Sequence, residues 1–224
     1  MRRSASLRTV ALTIGAILVL AWAGCGGGND EGDQGAARPK ANAADRAFAQ
    51  LMVPHHEAAL SMAELAQKRA EHPQVRTLAG NIVRSQTAEI AQLRKLGKAA
   101  GVKPEEHGGG HAAMQARGPA ASALGLTEAE LAIEHDAAGL KTSKPFDRAF
   151  IDAMTPHHEG AIRMAKAQLA RGAEPRLKAL ARQIVAAQTK EVGDMSAWRA
   201  QWYGKPASGG DGGAKEPPHS GAGH

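Results

Sequence analysis

The chain of 224 residues has a single cysteine and few aromatic residues. With Cys25 alone, neither an internal disulfide nor a metal site built from several thiolates can form. An aromatic content of 3% leaves few rings on which bases or sugars could stack, so no nucleic-acid partner is expected. The hydrophobic core must therefore be built from aliphatic residues and methionine.

One uncharged apolar run stands at the N-terminus. It extends over Val10–Ala23 and follows Arg2, Arg3 and Arg8. This is the pattern of a secretory signal peptide, and the run is shorter than the ~20 apolar residues of a spanning helix. The three arginines carry half of the formal net charge of +6, so the exported chain is only weakly basic.

Small residues precede the cysteine. The segment Ala23-Gly24-Cys25 resembles the lipobox of bacterial lipoproteins, in which the cysteine is lipidated and becomes the first residue after cleavage. We predict a signal peptide over residues 1–24 and a lipid on Cys25 that holds the protein at the outer face of the bacterial cytoplasmic membrane, in the periplasm or outside the cell. The alternative is a plain secretory signal with an ordinary cysteine.

The chain contains an internal repeat. The segment Asp45-Arg-Ala-Phe48 recurs as Asp147-Arg-Ala-Phe150, and the same shift of 102 positions relates the residues that follow. The matched pairs include Met52 with Met154, His55-His56-Glu57 with His157-His158-Glu159, Met62 with Met164, Gln86 with Gln188, and Glu89 with Glu191. A unit too short to bury its own apolar face usually packs against its copy.

Each copy predicts two helices, because a proline that suits the first turn of a helix divides it. The chain is thus expected to be all-α, an antiparallel four-helix bundle made of two duplicated hairpins. The predicted helices cover about 43–69, 73–99, 146–171 and 175–203. Pro54 and Pro156 are expected to kink the first helix of each copy; the alternative is that a new helix starts at each proline.

Composition divides the rest of the chain. Gly-rich and Pro-rich segments predict flexible or disordered stretches, and Thr127 predicts the N-cap of a short helix. We predict a flexible linker at 25–43, a helical domain at 44–204 and a disordered tail at 205–224. Within the domain, the two copies cover 45–99 and 145–203. The connection between them, at 100–144, is predicted to contain a loop at 101–123 and a short helix at about 127–138.

Helical geometry turns one histidine of each pair inward. At 100° per residue, one stripe of the first helix contains Phe48, Met52, His55, Ala59 and Met62. His56 borders this stripe, and Glu57 lies on the opposite side. On the second helix, Gln86 and Glu89 interrupt an apolar stripe, as Gln188 and Glu191 do in the other copy.

A buried carboxylate needs a partner, and the inward His55 and His157 are the expected neighbours of Glu89 and Glu191. Two interpretations stay open on residue types alone. One is a His–Glu–Gln hydrogen-bond network that fixes the packing of the bundle. The other is a metal site, in which thioether with imidazole suits Cu(I) and imidazole with carboxylate suits Zn, Fe or Mn.

The repeated pattern resembles the domain-of-unknown-function 305 family of bacterial exported proteins. It reads Phe48-Ala-Gln-Leu-Met-Val-Pro-His-His-Glu-Ala-Ala-Leu-Ser-Met62 in the first copy and Phe150-Ile-Asp-Ala-Met-Thr-Pro-His-His-Glu-Gly-Ala-Ile-Arg-Met164 in the second. The resemblance implies a ferritin-like four-helix bundle and, in some members, copper or silver binding linked to metal tolerance. The ligands it implies here are Met52, His55, His56, Met62, Met154, His157, His158 and Met164. From their places on the apolar stripes of the second helices, Gln86, Glu89, Gln188 and Glu191 are possible additional ligands or residues that position the ligands.

We therefore predict an exported lipoprotein that binds copper, as Cu(I), or silver for buffering or tolerance, without enzymatic turnover. Its expected partners are the metal ion and the membrane that receives the lipid. One alternative is a metal-free interaction or scaffold module. Another is a ferritin-like two-metal oxidase, although neither repeat has the Glu-x-x-His spacing of that class. Outside the repeats, His107, His111, Met114, His219 and His224 are candidates for loose surface capture of copper; the alternative is a chance scatter of histidine in low-complexity sequence.

Overall fold

The computed structural model describes residues 40–103, 111–133 and 137–204; the side chains of residues 111–114 and 137 are outside this description. The predicted signal peptide, lipid site and C-terminal tail, and nearly all of the predicted linker, lie outside the described residues. The described part is all-α, and no strand occurs in it.

Four long helices dominate the described chain and lie where the repeat predicts them. They are α1 (Ala43–Arg69), α2 (Pro73–Ala100), α6 (Phe146–Arg171) and α7 (Pro175–Tyr203). Three shorter helices connect the hairpins: α3 (His111–Leu124), α4 (Glu128–Leu131) and α5 (Ala137–Leu140). Pro54 and Pro156 lie inside α1 and α6, which continue through them, so the interpretation in which a new helix starts at each proline is wrong.

The connection between the hairpins differs from the prediction in two places. The predicted loop at 101–123 contains α3, whose alanine-rich sequence favours a helix and whose Ala121 and Leu124 are buried in the core. The helix expected at 127–138 begins as predicted, with a capping box between Thr127 and Glu130, but α4 ends at Leu131 because Ala132 takes a left-handed conformation at φ 48°.

The bundle consists of two helical hairpins, which pack against each other mainly through α1 and α6. Within the hairpins, α1 packs along α2 and α6 packs along α7; between them, α1 packs against α6. These two helices run antiparallel, since Asp45 at the start of α1 lies against Gln168 near the end of α6. Small residues, which allow helices to pack closely, lie on the buried face of both helices: six alanines on α1, and Gly160, Ala161 and Ala165 on α6.

A buried aspartate at the start of each first helix links the two hairpins. Asp45 accepts hydrogen bonds from the backbone N–H groups of Ala173 and Glu174, at 3.0 and 3.1 Å. Asp147 accepts the equivalent bonds from Glu71 and His72, at 3.0 and 2.7 Å. Each carboxylate thus satisfies N–H groups at the start of the second helix of the opposite hairpin, where negative charge is also favoured by the helix dipole.

The surroundings of Asp45 favour the ionised form of its carboxyl group. Burial raises the pKa of its carboxyl, but hydrogen bonds donated by the backbone of Asn42, the side chain of Gln168 and the backbone of Ala173 and Glu174 outweigh burial and lower it below the ordinary value of 3.8. The ionised carboxylate is therefore part of the folded structure.

None of the described helices combines the length and the apolar character that crossing a membrane requires.

Candidate metal centre

Two histidine rings meet where α1 crosses α6. The rings of His55 and His157 lie with their centroids 3.7 Å apart at an interplanar angle of 40°. Both residues are almost completely buried, with 0% and 1% of their surface exposed. The helical stripe predicted from sequence therefore does face the middle of the bundle, and the repeat brings equivalent histidines together.

The second histidine of each pair binds a glutamate within its own hairpin. His56 Nε2 lies 2.7 Å from Glu89 Oε2, and His158 Nε2 lies 2.8 Å from Glu191 Oε2. The prediction that His55 and His157 are the glutamates' neighbours is wrong. His56 lies on the flank of α1 that faces α2, so it reaches Glu89, whereas His55 faces α6.

The four imidazoles form a row across the bundle. Ring centroids are 6.3 Å apart for His55 and His56 and 6.4 Å apart for His157 and His158, on either side of the central pair. The glutamates at the two ends of the row keep a small contact with solvent, with 13% of the Glu89 side chain and 15% of the Glu191 side chain exposed.

The four repeated methionines are buried in the core of the bundle. Met52 and Met164 belong to one apolar cluster of the core, and Met62 and Met154 belong to the other. All four have 0% of their surface exposed. Met52 lies one helical turn before His55, as Met154 does before His157, so a thioether and an imidazole share a face of each helix. The repeated methionines are thus buried in the core as predicted, but they are divided between two clusters.

Several buried polar atoms near this region have no hydrogen-bond partner among the described residues. They include His56 Nδ1, His158 Nδ1, Gln86 Oε1 and both amide atoms of Gln188. An unsatisfied buried polar atom is costly and needs an explanation, such as a water molecule or an ion. The lone pairs of imidazole nitrogen and amide oxygen are able to bind a metal ion, so these residues fit a metal site.

The donor types favour a soft ion. Within residues 40–103, 111–133 and 137–204, no group of three or more His, Cys, Asp or Glu side chains is arranged to hold a metal. Imidazole nitrogens and thioether sulfurs are both buried in the core, and in combination these donor types suit a soft ion. Glu89 and Glu191 face the histidines rather than one another, so their role is tied to His56 and His158.

Five further sequence candidates fall outside the described part of the structure. His107, His219 and His224 lie outside the described residues, as do the side chains of His111 and Met114. Sequence reasoning also missed the role of Asp45 and Asp147 in linking the hairpins. The signal was present, because the exact recurrence of Asp-Arg-Ala-Phe placed an aspartate at a position that each copy retains.

A family model connects this geometry with known sequences. The model named domain of unknown function DUF305 matches residues 45–199 and 168–223. The chain belongs to the DUF305 family. None of the curated proteins compared with the chain matches it.

Solved structures of DUF305 proteins and of CopM share the fold. CopM in a Cu(I)-bound form has 31% sequence identity and a TM-score of 0.57, over 71% of this chain and 98% of that one. A DUF305 fragment from Deinococcus radiodurans has 31% identity and a TM-score of 0.56, over 73% and 99% of the two chains. A DUF305 protein from Streptomyces coelicolor has 25% identity and a TM-score of 0.59, over 73% and 96%. Other matching structures show CopM bound to Ag and to Cu(II).

Proposed function

We propose that this DUF305 protein binds copper or silver through histidine and methionine in the middle of its bundle and so buffers the ion or hands it on. The observation that carries the proposal is the contact between His55 and His157, with ring centroids 3.7 Å apart, and the burial of Met52 and Met154 one helical turn before them. The similarity to CopM, whose structures contain Cu(I), Cu(II) or Ag, supports the same choice of ion.

The proposed ligands come from both copies of the repeat. Imidazole and thioether donors favour Cu(I) and, as a chemically similar soft ion, Ag(I). Burial excludes water from the site, which favours soft donors over hydration of the ion. The ligands are drawn from Met52, His55, His56, Met62, Met154, His157, His158 and Met164.

The protein is proposed to act by binding alone. Two-metal oxidases of ferritin-like bundles place Glu-x-x-His motifs on their helices, and neither repeat contains that spacing. A metal-free scaffold is the rival function, and the His56–Glu89 and His158–Glu191 hydrogen bonds favour it, because they stabilise the bundle whether or not an ion is bound.

We further propose that the protein is exported and held by a lipid on Cys25. Support comes from the sequence, in which basic residues precede an uncharged run and small residues precede the cysteine. Mass spectrometry of the membrane fraction checks this: a diacylated Cys25 at the N-terminus supports the anchor, and an intact or unmodified N-terminus contradicts it.

Metal equilibration separates the candidate functions. The purified protein is incubated with Cu(I), Ag(I), Zn(II) or Fe(II), desalted, and its bound metal measured by mass spectrometry. Retention of Cu(I) and Ag(I), lost in a His55→Ala and His157→Ala double variant, supports the proposal. A His107→Ala and His111→Ala variant is the control for loose capture by the connection and is expected to retain the ions.

The other outcomes each contradict the proposal. Absence of any retained metal supports the scaffold, and Fe(II)-dependent consumption of oxygen supports the oxidase. Circular dichroism and urea unfolding of the double variant establish that a loss of binding does not come from a loss of fold.

A further inference from the structure

The glutamate that contacts each second histidine determines which ring nitrogen carries the proton. Glu89 Oε2 lies 2.7 Å from His56 Nε2, and Glu191 Oε2 lies 2.8 Å from His158 Nε2. An ionised carboxylate only accepts hydrogen bonds, so Nε2 must be the protonated donor in both contacts. The other nitrogen, Nδ1, then carries a lone pair in the neutral ring.

The Nδ1 atoms of the same histidines are buried and have no hydrogen-bond partner among the described residues. Both residues have 0% of their surface exposed. A proton on Nδ1 would add a buried donor without an acceptor, which is costly. The structure therefore favours a bare Nδ1 in each ring, which is the form of imidazole that binds a metal ion.

The surroundings repeat in both hairpins. Gln86 lies one helical turn before Glu89 on α2, and Gln188 lies one turn before Glu191 on α7. Gln86 Oε1 and the amide group of Gln188 are also buried without a hydrogen-bond partner among the described residues. Each hairpin thus contains both an imidazole nitrogen and a glutamine amide atom without a hydrogen-bond partner among the described residues. The same combination in both copies argues against an accident at one side chain.

We propose that His56 and His158 bind the soft ion through Nδ1, and that Glu89 and Glu191 are positioning residues that hold the proton on Nε2 rather than ligands. This inference rests on the proposed function. It assigns a metal-binding atom and separates the glutamates from the ligand set. A carboxylate that accepts a hydrogen bond from a metal-binding histidine fixes the ring's orientation and raises its basicity, and removal of such a partner typically costs about 10–100-fold in metal affinity.

The first test reads the tautomer before any metal is added. Long-range ¹H–¹⁵N spectra of the ¹⁵N-labelled protein distinguish protonated from bare ring nitrogens, and His56→Asn and His158→Asn variants assign the signals. The expected result is a protonated Nε2 and a bare Nδ1 in both residues. A proton on Nδ1 in either ring overturns the inference for that hairpin.

The second test adds Ag(I), whose nuclei couple to a bound nitrogen. Silver–nitrogen coupling at Nδ1 of His56 and His158 supports the inference. Retained silver without coupling at Nδ1 overturns the inference but leaves the proposed function standing. Absence of silver retention overturns both, so the two failures are distinguishable.

The third test compares two pairs of glutamates. A Glu89→Gln and Glu191→Gln variant is expected to bind Ag(I) about 10–100-fold more weakly and to show some protonated Nδ1 in its spectrum. A Glu57→Gln and Glu159→Gln variant is the matched control, because these glutamates directly follow the histidine pairs in sequence but point away from them; Glu57 pairs with Arg94. Equal affinities in the two variants, or an unchanged tautomer in the first, contradict the positioning role.

Discussion

The two hairpins make the same polar contacts at their centre and different contacts at their ends. At the centre, the His56–Glu89 and His158–Glu191 distances agree within 0.1 Å, at 2.7 and 2.8 Å. At the ends, Asp45 accepts a hydrogen bond from Gln168, whereas Asp147 lies 2.7 Å from the ring nitrogen Nδ1 of His72.

The end that contains Asp147 is aromatic. His72 stacks on Trp202 with ring centroids 3.8 Å apart, and Trp198 stacks on Trp202 at 5.6 Å. At the opposite end, the counterpart of His72 is Glu174, which forms an ion pair with Arg176. The backbone groups that the aspartates satisfy are common to both ends, so the copies share the aspartate, but the side chains packed around it have diverged. The comparison indicates that shared constraints lie in the centre and in the two linking aspartates.

The largest effect is expected from removal of the linking aspartates. Asp45→Ala and Asp147→Ala each leave buried backbone N–H groups without an acceptor and remove a helix cap, at a cost of about 3 kcal/mol. Urea unfolding of the two variants measures the free energy of unfolding. Similar losses in the two variants support equivalent roles for the two aspartates. A loss below about 1 kcal/mol in either variant contradicts that equivalence.

A smaller effect is expected at a position where the first helices of the two copies differ, Gly160 on α6 and its counterpart on α1. A Cβ added at Gly160 would lie 2.3 Å from the carbonyl oxygen of Leu131, so α4 must shift. Overpacking costs about 1–3 kcal/mol, and the higher helix propensity of alanine contributes about 1 kcal/mol of stability, so Gly160→Ala is expected to lose roughly 0–2 kcal/mol in the free energy of unfolding. The first copy has Ala58 at the equivalent position, and Ala58→Gly is expected to cost about 1 kcal/mol through propensity alone.

Thermal unfolding of both variants checks this contrast. A stabilised Gly160→Ala variant would show that α4 does not pack against α6 at this point. The structure predicts in addition that the Gly160→Ala variant loses amide protection in α4, because the short helix is displaced from its contact.

The smallest effect is expected in how the free energy of unfolding changes at acidic pH. Hydrogen bonds hold the pKa of Asp45 below its ordinary value of 3.8, despite burial, which raises it. A group with a lowered folded pKa stabilises the protein above its unfolded pKa and loses this contribution as the pH falls through the folded pKa. Asp45→Asn is therefore expected to be less stable than the wild type at neutral pH, with a difference that narrows below about pH 4. A constant difference from pH 7 to pH 2 would contradict the assignment.

The sequence predicted the helices and the inward stripe well because both depend on local spacing. Two copies with the same prolines and the same apolar positions defined the four long helices, and Phe48, Met52, His55, Ala59 and Met62 are all fully buried as expected. Proline in the first turn and apolar periodicity act within one helix, so their effect can be derived without knowledge of the neighbours.

The sequence failed where the answer depends on which helix lies beside which face. Angles around α1 placed His56 on the flank, but only the bundle shows that this flank faces α2 and Glu89. The connection was mispredicted for a related reason. The Gly-rich and Pro-rich composition of residues 101–123 predicted a loop, whereas burial of Ala121 and Leu124 in the core stabilises α3 although Pro119 lies inside it.

The central claim is that a soft ion lies among the histidines and methionines where α1 meets α6. The most direct measurement is anomalous X-ray scattering from crystals of the protein grown with Ag(I). The account predicts silver within bonding distance of an imidazole nitrogen from the His55, His56, His157 and His158 row together with a methionine sulfur. Silver found only on surface histidines, or no bound silver, would contradict it.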